Sequence, residues 1–182
     1  KMSRAIKFDF TLKLYNDFLD ALSDFNCIPI SDFINKGQKP KQKYLFGEKY
    51  VVLRHDVDRK PQNSLNMAKI ENESGKVGSY YFRIVEDSYN LKIMEEVSKL
   101  GHEIGYHYED IDNALGYFKD NGIKEFSEED LIDKSYEIFQ KNLQVFKRNF
   151  AIKTISMHGS PLSRFDNKLI WSKYNYKDLG II

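Results

Sequence analysis

The segment Tyr50-Val-Val-Leu-Arg-His-Asp-Val-Asp58-Arg-Lys-Pro61 decides the fold class. Its first four residues form a short, continuously apolar run, as a strand buried on both faces would. A charged cluster follows at once, and Pro61 then opens a helical stretch through Leu65, Ala68 and Ile70 that closes near Gly75.

Further along the chain the same alternation repeats. Gly78-Ser-Tyr-Tyr-Phe-Arg-Ile84 is dense in aromatic and β-branched residues and reads as a strand. Residues 91–100 carry Ile93, Val97 and Leu100 on one helical face, and Gly101 ends that helix. A strand over 102–107 comes next, then an insertion rich in Asp, Asn and Gly. Ser127-Glu-Glu-Asp130 caps a helix that Ile132, Tyr136, Phe139, Leu143 and Phe146 continue at helical spacing. Lys153-Thr-Ile-Ser-Met-His158 is a last strand, ending at Gly159-Ser-Pro161. Strands alternating with helices imply parallel strands joined by crossovers, in a barrel or an open sheet. Before this region, Phe10, Leu14, Phe18 and Leu22 predict one amphipathic helix, and the polar run 36–43 (KGQKPKQK) predicts a solvated loop. The chain therefore divides into an N-terminal helical segment with its basic loop, 1–44, and an α/β domain, 45–182.

Composition narrows the function. With 28 basic and 27 acidic residues the net charge is +1, which argues against a polybasic nucleic-acid binder. The chain is 41% hydrophobic, too rich in core formers for disorder, and no apolar run approaches the ~20 residues of a membrane span. Cys27 is the single cysteine; it excludes an intrachain disulfide, fits a reducing compartment, and reads as a buried, inert thiol. The first residues lack the apolar stretch of a signal peptide. These features predict a cytoplasmic globular domain.

The chemistry collects at strand ends: Arg54-His-Asp-Val-Asp58, then Arg83, then His107-Tyr-Glu-Asp110, then His158. In parallel α/β folds those ends share one face. Asp56 and Asp58 fall on one side of an extended chain, and two carboxylates so close repel unless a cation joins them or one is protonated. Helix capping before Pro61 would account for Asp58 but not for Asp56. With His107 and His158 also at strand ends, a divalent ion such as zinc, which takes mixed His and Asp ligands, is the reading that unites them. His158 could equally position a turn. Tyr80-Tyr81 and Tyr106/Tyr108 read as core residues, although tyrosines near a cleft would suit sugar stacking.

Val51-Val-Leu-Arg-His-Asp-Val-Asp58, Ser79-Tyr-Tyr-Phe-Arg83 and Leu100-Gly-His-Glu-Ile-Gly-Tyr-His107-Tyr-Glu-Asp110 resemble the polysaccharide deacetylase (NodB-homology) family, in a branch associated with surface-polysaccharide biosynthesis. The resemblance spans about residues 45–175. It implies a distorted, incomplete (β/α) barrel that removes acetyl groups from N-acetylated sugars or polysaccharide precursors with a divalent metal, usually zinc. Residue by residue, Asp56 matches the catalytic base, Asp58 the metal-binding aspartate and His107 the first histidine ligand; His102 matches a structural histidine. Two positions depart from the pattern. Ile111 stands where the second histidine ligand belongs, which leaves His158, Glu109 or Asp110 to complete the set. The late-strand catalytic-acid histidine has no counterpart other than His158. Arg54 and Arg83 would tune Asp56 or hold substrate oxygens. The alternative reading is a carbohydrate-binding or scaffolding module that kept the barrel and lost the chemistry.

Overall fold

The computed structural model describes residues 11–37, 48–159 and 164–182. Its elements run α1 (Leu12–Ala21), β1 (Asn26–Cys27), α2 (Ile30–Gly37), β2 (Tyr50–Val51), β3 (Leu53–Val57), α3 (Pro61–Glu73), β4 (Gly78–Phe82), α4 (Leu91–Lys99), β5 (Glu103–Tyr108), α5 (Asp110–Asp120), α6 (Glu128–Lys147) and β6 (Ile155–Met157). Two 3₁₀ turns, Asn167–Ser172 and Tyr176–Leu179, follow. Strands β3, β4, β5 and β6 form a parallel sheet in that order, with Asp56 beside Tyr81 and His107 beside Ser156. No helix among the described residues is long and apolar enough to cross a membrane.

The sheet curls into a half-barrel. Arg54 of β3 donates from Nη2 to Ser156 Oγ of β6 at 2.5 Å, although two strands lie between them in the sheet. Inside the curl, Tyr81 passes over β5 to share a 2.7 Å hydrogen bond with Thr154. Gly105 on β5 makes room for it: a Cβ there would lie 2.3 Å from the Tyr81 ring. The concave face is therefore polar. At its base Glu103 accepts from Ser79 Oγ at 2.6 Å, Thr154 Oγ1 at 2.8 Å and the Ser31 amide of α2 at 3.2 Å. On the convex face Val57, Tyr80, Phe82, Ile104, Tyr106 and Tyr108 bury against Ala68, Met94, Val97, Phe139 and Phe146 of the helices. Burial at about 1.5–3 kcal/mol per large apolar side chain makes this layer the main source of stability.

Several elements differ from the sequence expectation. The apolar run at 50–53 is split: β2 pairs with β1 in a separate two-stranded sheet, and only from Leu53 does the chain enter the four-stranded sheet. The segment before it folds as two helices and a short strand. In α1 the buried residues are Tyr15 and Leu19, while Leu14 and Phe18 are exposed. The stripe is rotated because the Tyr15 hydroxyl donates to the buried Glu71 of α3. Phe10 and residues 38–43 of the basic run lie outside the described residues, and Lys36 and Gly37 close α2 instead of starting a loop. Cys27 is half-buried, and burial pushes its thiol pKa up. The Asp- and Asn-rich insertion is helix α5; Asp110 and Asp112 occupy its first turn, where acids are favoured by the helix dipole. The Ser127 cap is present as a reciprocal capping box with Asp130.

Candidate metal centre

Alternation along β3 decides which charged side chains meet. Arg54 and Asp56 face the concave side, Asp58 follows just past the strand end, and His55 points the other way. Asp58 caps nothing: α3 begins with Pro61, and Lys60 before it has a positive φ of 55° and makes no side-chain cap. Freed from that role, Asp58 Oδ1 lies 3.3 Å from His107 Nε2 and 3.2 Å from His158 Nδ1. The two ring nitrogens are themselves 3.2 Å apart. Bonds of about 2.0–2.1 Å in a tetrahedral zinc site set ligand atoms about 3.3–3.4 Å apart, so this triangle has the dimensions of one tetrahedral face. Asp58, His107 and His158 could hold a metal ion.

Each histidine is oriented for that use. His107 is buried and donates from Nδ1 to the Ser156 carbonyl at 3.1 Å, which leaves Nε2 as the lone-pair nitrogen facing Asp58. Burial pulls the His107 pKa down, and the Asp56 charge only partly offsets it, so the ring is neutral at neutral pH. His158 is fixed through its backbone: its amide donates to the Tyr108 carbonyl at 2.8 Å, and its carbonyl accepts from Asn167 Nδ2 at 3.1 Å. Asn167 also caps α5, accepting from the Ile111 amide at 2.9 Å.

Beside the triangle stands Asp56. Its carboxylate accepts from Arg54 Nε at 3.0 Å, Arg54 Nη2 at 2.5 Å and Ser156 Oγ at 3.2 Å. Of the two arginines predicted to tune Asp56 or hold substrate, Arg54 is the one that touches it. The Arg83 guanidinium instead grips Glu109 with two bonds, 3.0 and 2.6 Å, and reaches the Asp58 carbonyl at 3.5 Å.

Of His158, Glu109 and Asp110, the three residues that the deacetylase resemblance leaves to complete a ligand set, the structure brings His158 to the triangle. Ile111 itself is fully buried in the core. Glu109 is held by Arg83, and Asp110 accepts from Tyr106, Asn142 and Asn113. His55 does not join the other strand-end histidines: it contacts Glu71 at 2.6 Å and stacks on Tyr80. His102 is buried and neutral, accepting from the Gly78 amide at 3.0 Å and donating to the Ala68 carbonyl at 2.9 Å. Its Nδ1 also lies 3.4 Å from Glu71, but because that nitrogen is an acceptor the contact is not an ion pair.

Sequence reading missed Ser156, although it precedes His158 by two residues and so shares its face of the strand. Asn167 carried no local signal, since the α5 amide it caps lies 56 positions away in sequence.

Comparison with protein-family models, with curated proteins and with solved structures gives no match.

Proposed function

We propose that the chain is a metal-dependent hydrolase that removes an acetyl group from an N-acetylated sugar or polysaccharide precursor in surface-polysaccharide metabolism. The observation that carries the reading is Asp58, His107 and His158 at tetrahedral-face spacing, with a second carboxylate, Asp56, beside them and outside the ligand set. The acetyl-sugar substrate comes from the resemblance of the three quoted motifs to the polysaccharide deacetylases.

Zinc or a similar ion, held by Asp58, His107 and His158, would supply Lewis acidity, the property that lowers a water pKa from about 15.7 towards about 7 and offsets charge on a carbonyl oxygen. The remaining work belongs to the chain. The Asp56 carboxylate takes the water proton as general base. Arg54 and Ser156 hold that carboxylate in one orientation with charge-assisted hydrogen bonds. The neutral His107 ring, anchored to the Ser156 carbonyl, presents a lone pair without first losing a proton.

Asp56→Asn is the deciding variant. It is expected to bind zinc with unchanged affinity while deacetylation of a chitooligosaccharide or N-acetylated glucosamine polymer falls by about 10²–10⁴-fold. Turnover by Asp56→Asn at the unaltered rate would reject the assignment. Zinc binding with no hydrolysis of any acetylated sugar by the unaltered protein would favour the carbohydrate-binding alternative.

A further inference from the structure

The Arg83–Glu109 pair has no part in the chemistry proposed above, yet it sits where β3, β4, β5 and His158 converge. We propose that Glu109 is a positioning carboxylate for the metal centre, fixing the ring of His158, and that Arg83 is the residue that holds Glu109 in place. The proposal rests on reading Asp58, His107 and His158 as a metal site; it does not depend on the substrate.

Geometry carries the argument. When His158 Nδ1 serves as a metal ligand, the hydrogen of the neutral ring resides on Nε2. Glu109 Oε2 is the carboxylate oxygen that faces that nitrogen, at 4.0 Å, longer than a hydrogen bond and closed by a small turn of the ring. Glu109 is buried, and the two bonds from Arg83 use one lone pair on each oxygen. Each oxygen keeps another, and on Oε2 it is available to His158. Backbone bonds fix where His158 starts but not how its ring is turned. An outer carboxylate does that in metal sites generally, setting the tautomer and raising the basicity of the ligand.

Arg83 extends the same control to the aspartate, because its Nη1 reaches the Asp58 carbonyl. Its own position is fixed by the fully buried Ser88, which accepts from the Arg83 amide at 3.0 Å and donates to the Val57 carbonyl at the end of β3. One guanidinium and one carboxylate thus join two of the three ligands, one through a ring and the other through its backbone. A plain strand-end ion pair would need neither contact.

The test uses the full chain, stripped of metal and titrated with Zn²⁺ against a chromophoric chelator, with Co²⁺ absorption as the spectroscopic readout. Glu109→Gln is expected to weaken Zn²⁺ binding by about 10–100-fold and to change the Co²⁺ d–d bands. Arg83→Lys, which keeps the charge but loses the fork, should weaken it less. If Glu109→Gln does not fold, Arg83→Lys decides alone. Glu103→Gln is the structural control: it removes a hydrogen-bonded carboxylate at the start of β5, the strand end opposite to the triangle, and should lower the urea midpoint without moving Zn²⁺ affinity. Zn²⁺ affinity and Co²⁺ bands unchanged in Glu109→Gln, while His158→Ala weakens binding, would overturn the proposal and leave the metal site standing. Absence of Zn²⁺ binding by the unaltered protein would overturn both. Tight Zn²⁺ binding that depends on Glu109, in a protein that hydrolyses no acetylated sugar, would support this inference and reject the deacetylase reading alone.

Discussion

Ser156 touches Asp56 and His107 at once: its hydroxyl donates to Asp56 Oδ1 at 3.2 Å, and its carbonyl accepts from His107 Nδ1 at 3.1 Å. One residue of β6 therefore sets the spacing between the proposed base and a proposed ligand. The two contacts use different atoms, so substitution can separate them.

Ser156→Ala removes the hydroxyl and keeps the carbonyl. Loss of a hydrogen bond to a charged group costs about 1.5–3 kcal/mol, which in a rate is about 10–150-fold. The expected result is a fall of that size in kcat/KM for an acetylated sugar, with Zn²⁺ affinity changed less than about twofold. Steady-state kinetics beside a chelator competition checks both.

Gly105→Ala tests the curl. A Cβ at that position meets the buried Tyr81 ring at 2.3 and 2.4 Å and the Thr154 carbonyl at 3.1 Å. The ring cannot swing away without breaking its bond to Thr154 and shifting the core of the half-barrel. Overpacking of this kind costs about 1–3 kcal/mol, and the variant should show that loss in a urea midpoint. A stability equal to the unaltered protein would mean that Tyr81 does not cross β5 in solution.

Tyr15→Phe tests the seat of α1. Glu71 is fully buried and accepts from the hydroxyls of Tyr15 and Tyr80 as well as contacting His55. Burial pushes the Glu71 pKa up, but these partners more than offset it and hold the carboxyl below its ordinary value. Removing one hydroxyl from a buried carboxylate is expected to cost about 1.5–3 kcal/mol. Unfolding of Tyr15→Phe by urea at neutral pH measures it, and a loss under about 0.5 kcal/mol would contradict the contact.

The pH dependence of stability should carry the signature of Asp110. Burial raises its pKa to about 6, against the lowering effect of hydrogen bonds from Tyr106, Asn142 and Asn113. A carboxyl whose folded pKa lies above its unfolded value stabilises the fold while protonated and loses that contribution as pH rises through the folded pKa. From the ordinary 3.8 to about 6 the whole effect is about 3 kcal/mol, of which about 1.4 kcal/mol is lost between pH 5 and pH 7.5. His102 and His107, whose pKa values are lowered by burial, act with the opposite sign below about pH 6.5. The informative quantity is therefore the unaltered protein minus Asp110→Asn, which should fall as pH rises across that window.

What the sequence revealed, and what it hid, follows from the range of each signal. The β-then-α order, the Asp56/Asp58 alternation and the strand-end positions of His107 and His158 are local patterns, and they located the concave site. The rotation of α1 was hidden because Tyr15 is drawn inward by Glu71, a partner 56 positions away. The rank of His158 among three possible replacement ligands was open for the same reason: only the curl of the sheet shows that Asp110 turns to Tyr106 while His158 turns to Asp58. Helix α5 was obscured by its Asp and Asn content, which marks a first turn as readily as a loop.

Asp58 follows one outer strand of the sheet and His158 follows the other, with His107 on a strand between them. The distance across the ligand triangle is thus also the gap between the margins of a bent sheet. An ion seated there would act as a clasp, and part of its binding energy would go into keeping the sheet bent. Zn²⁺ at a hundredfold over its dissociation constant should then add about 2.7 kcal/mol to unfolding stability. Any change that flattens the sheet should loosen the clasp, even from a position such as Gly105 that never approaches the metal.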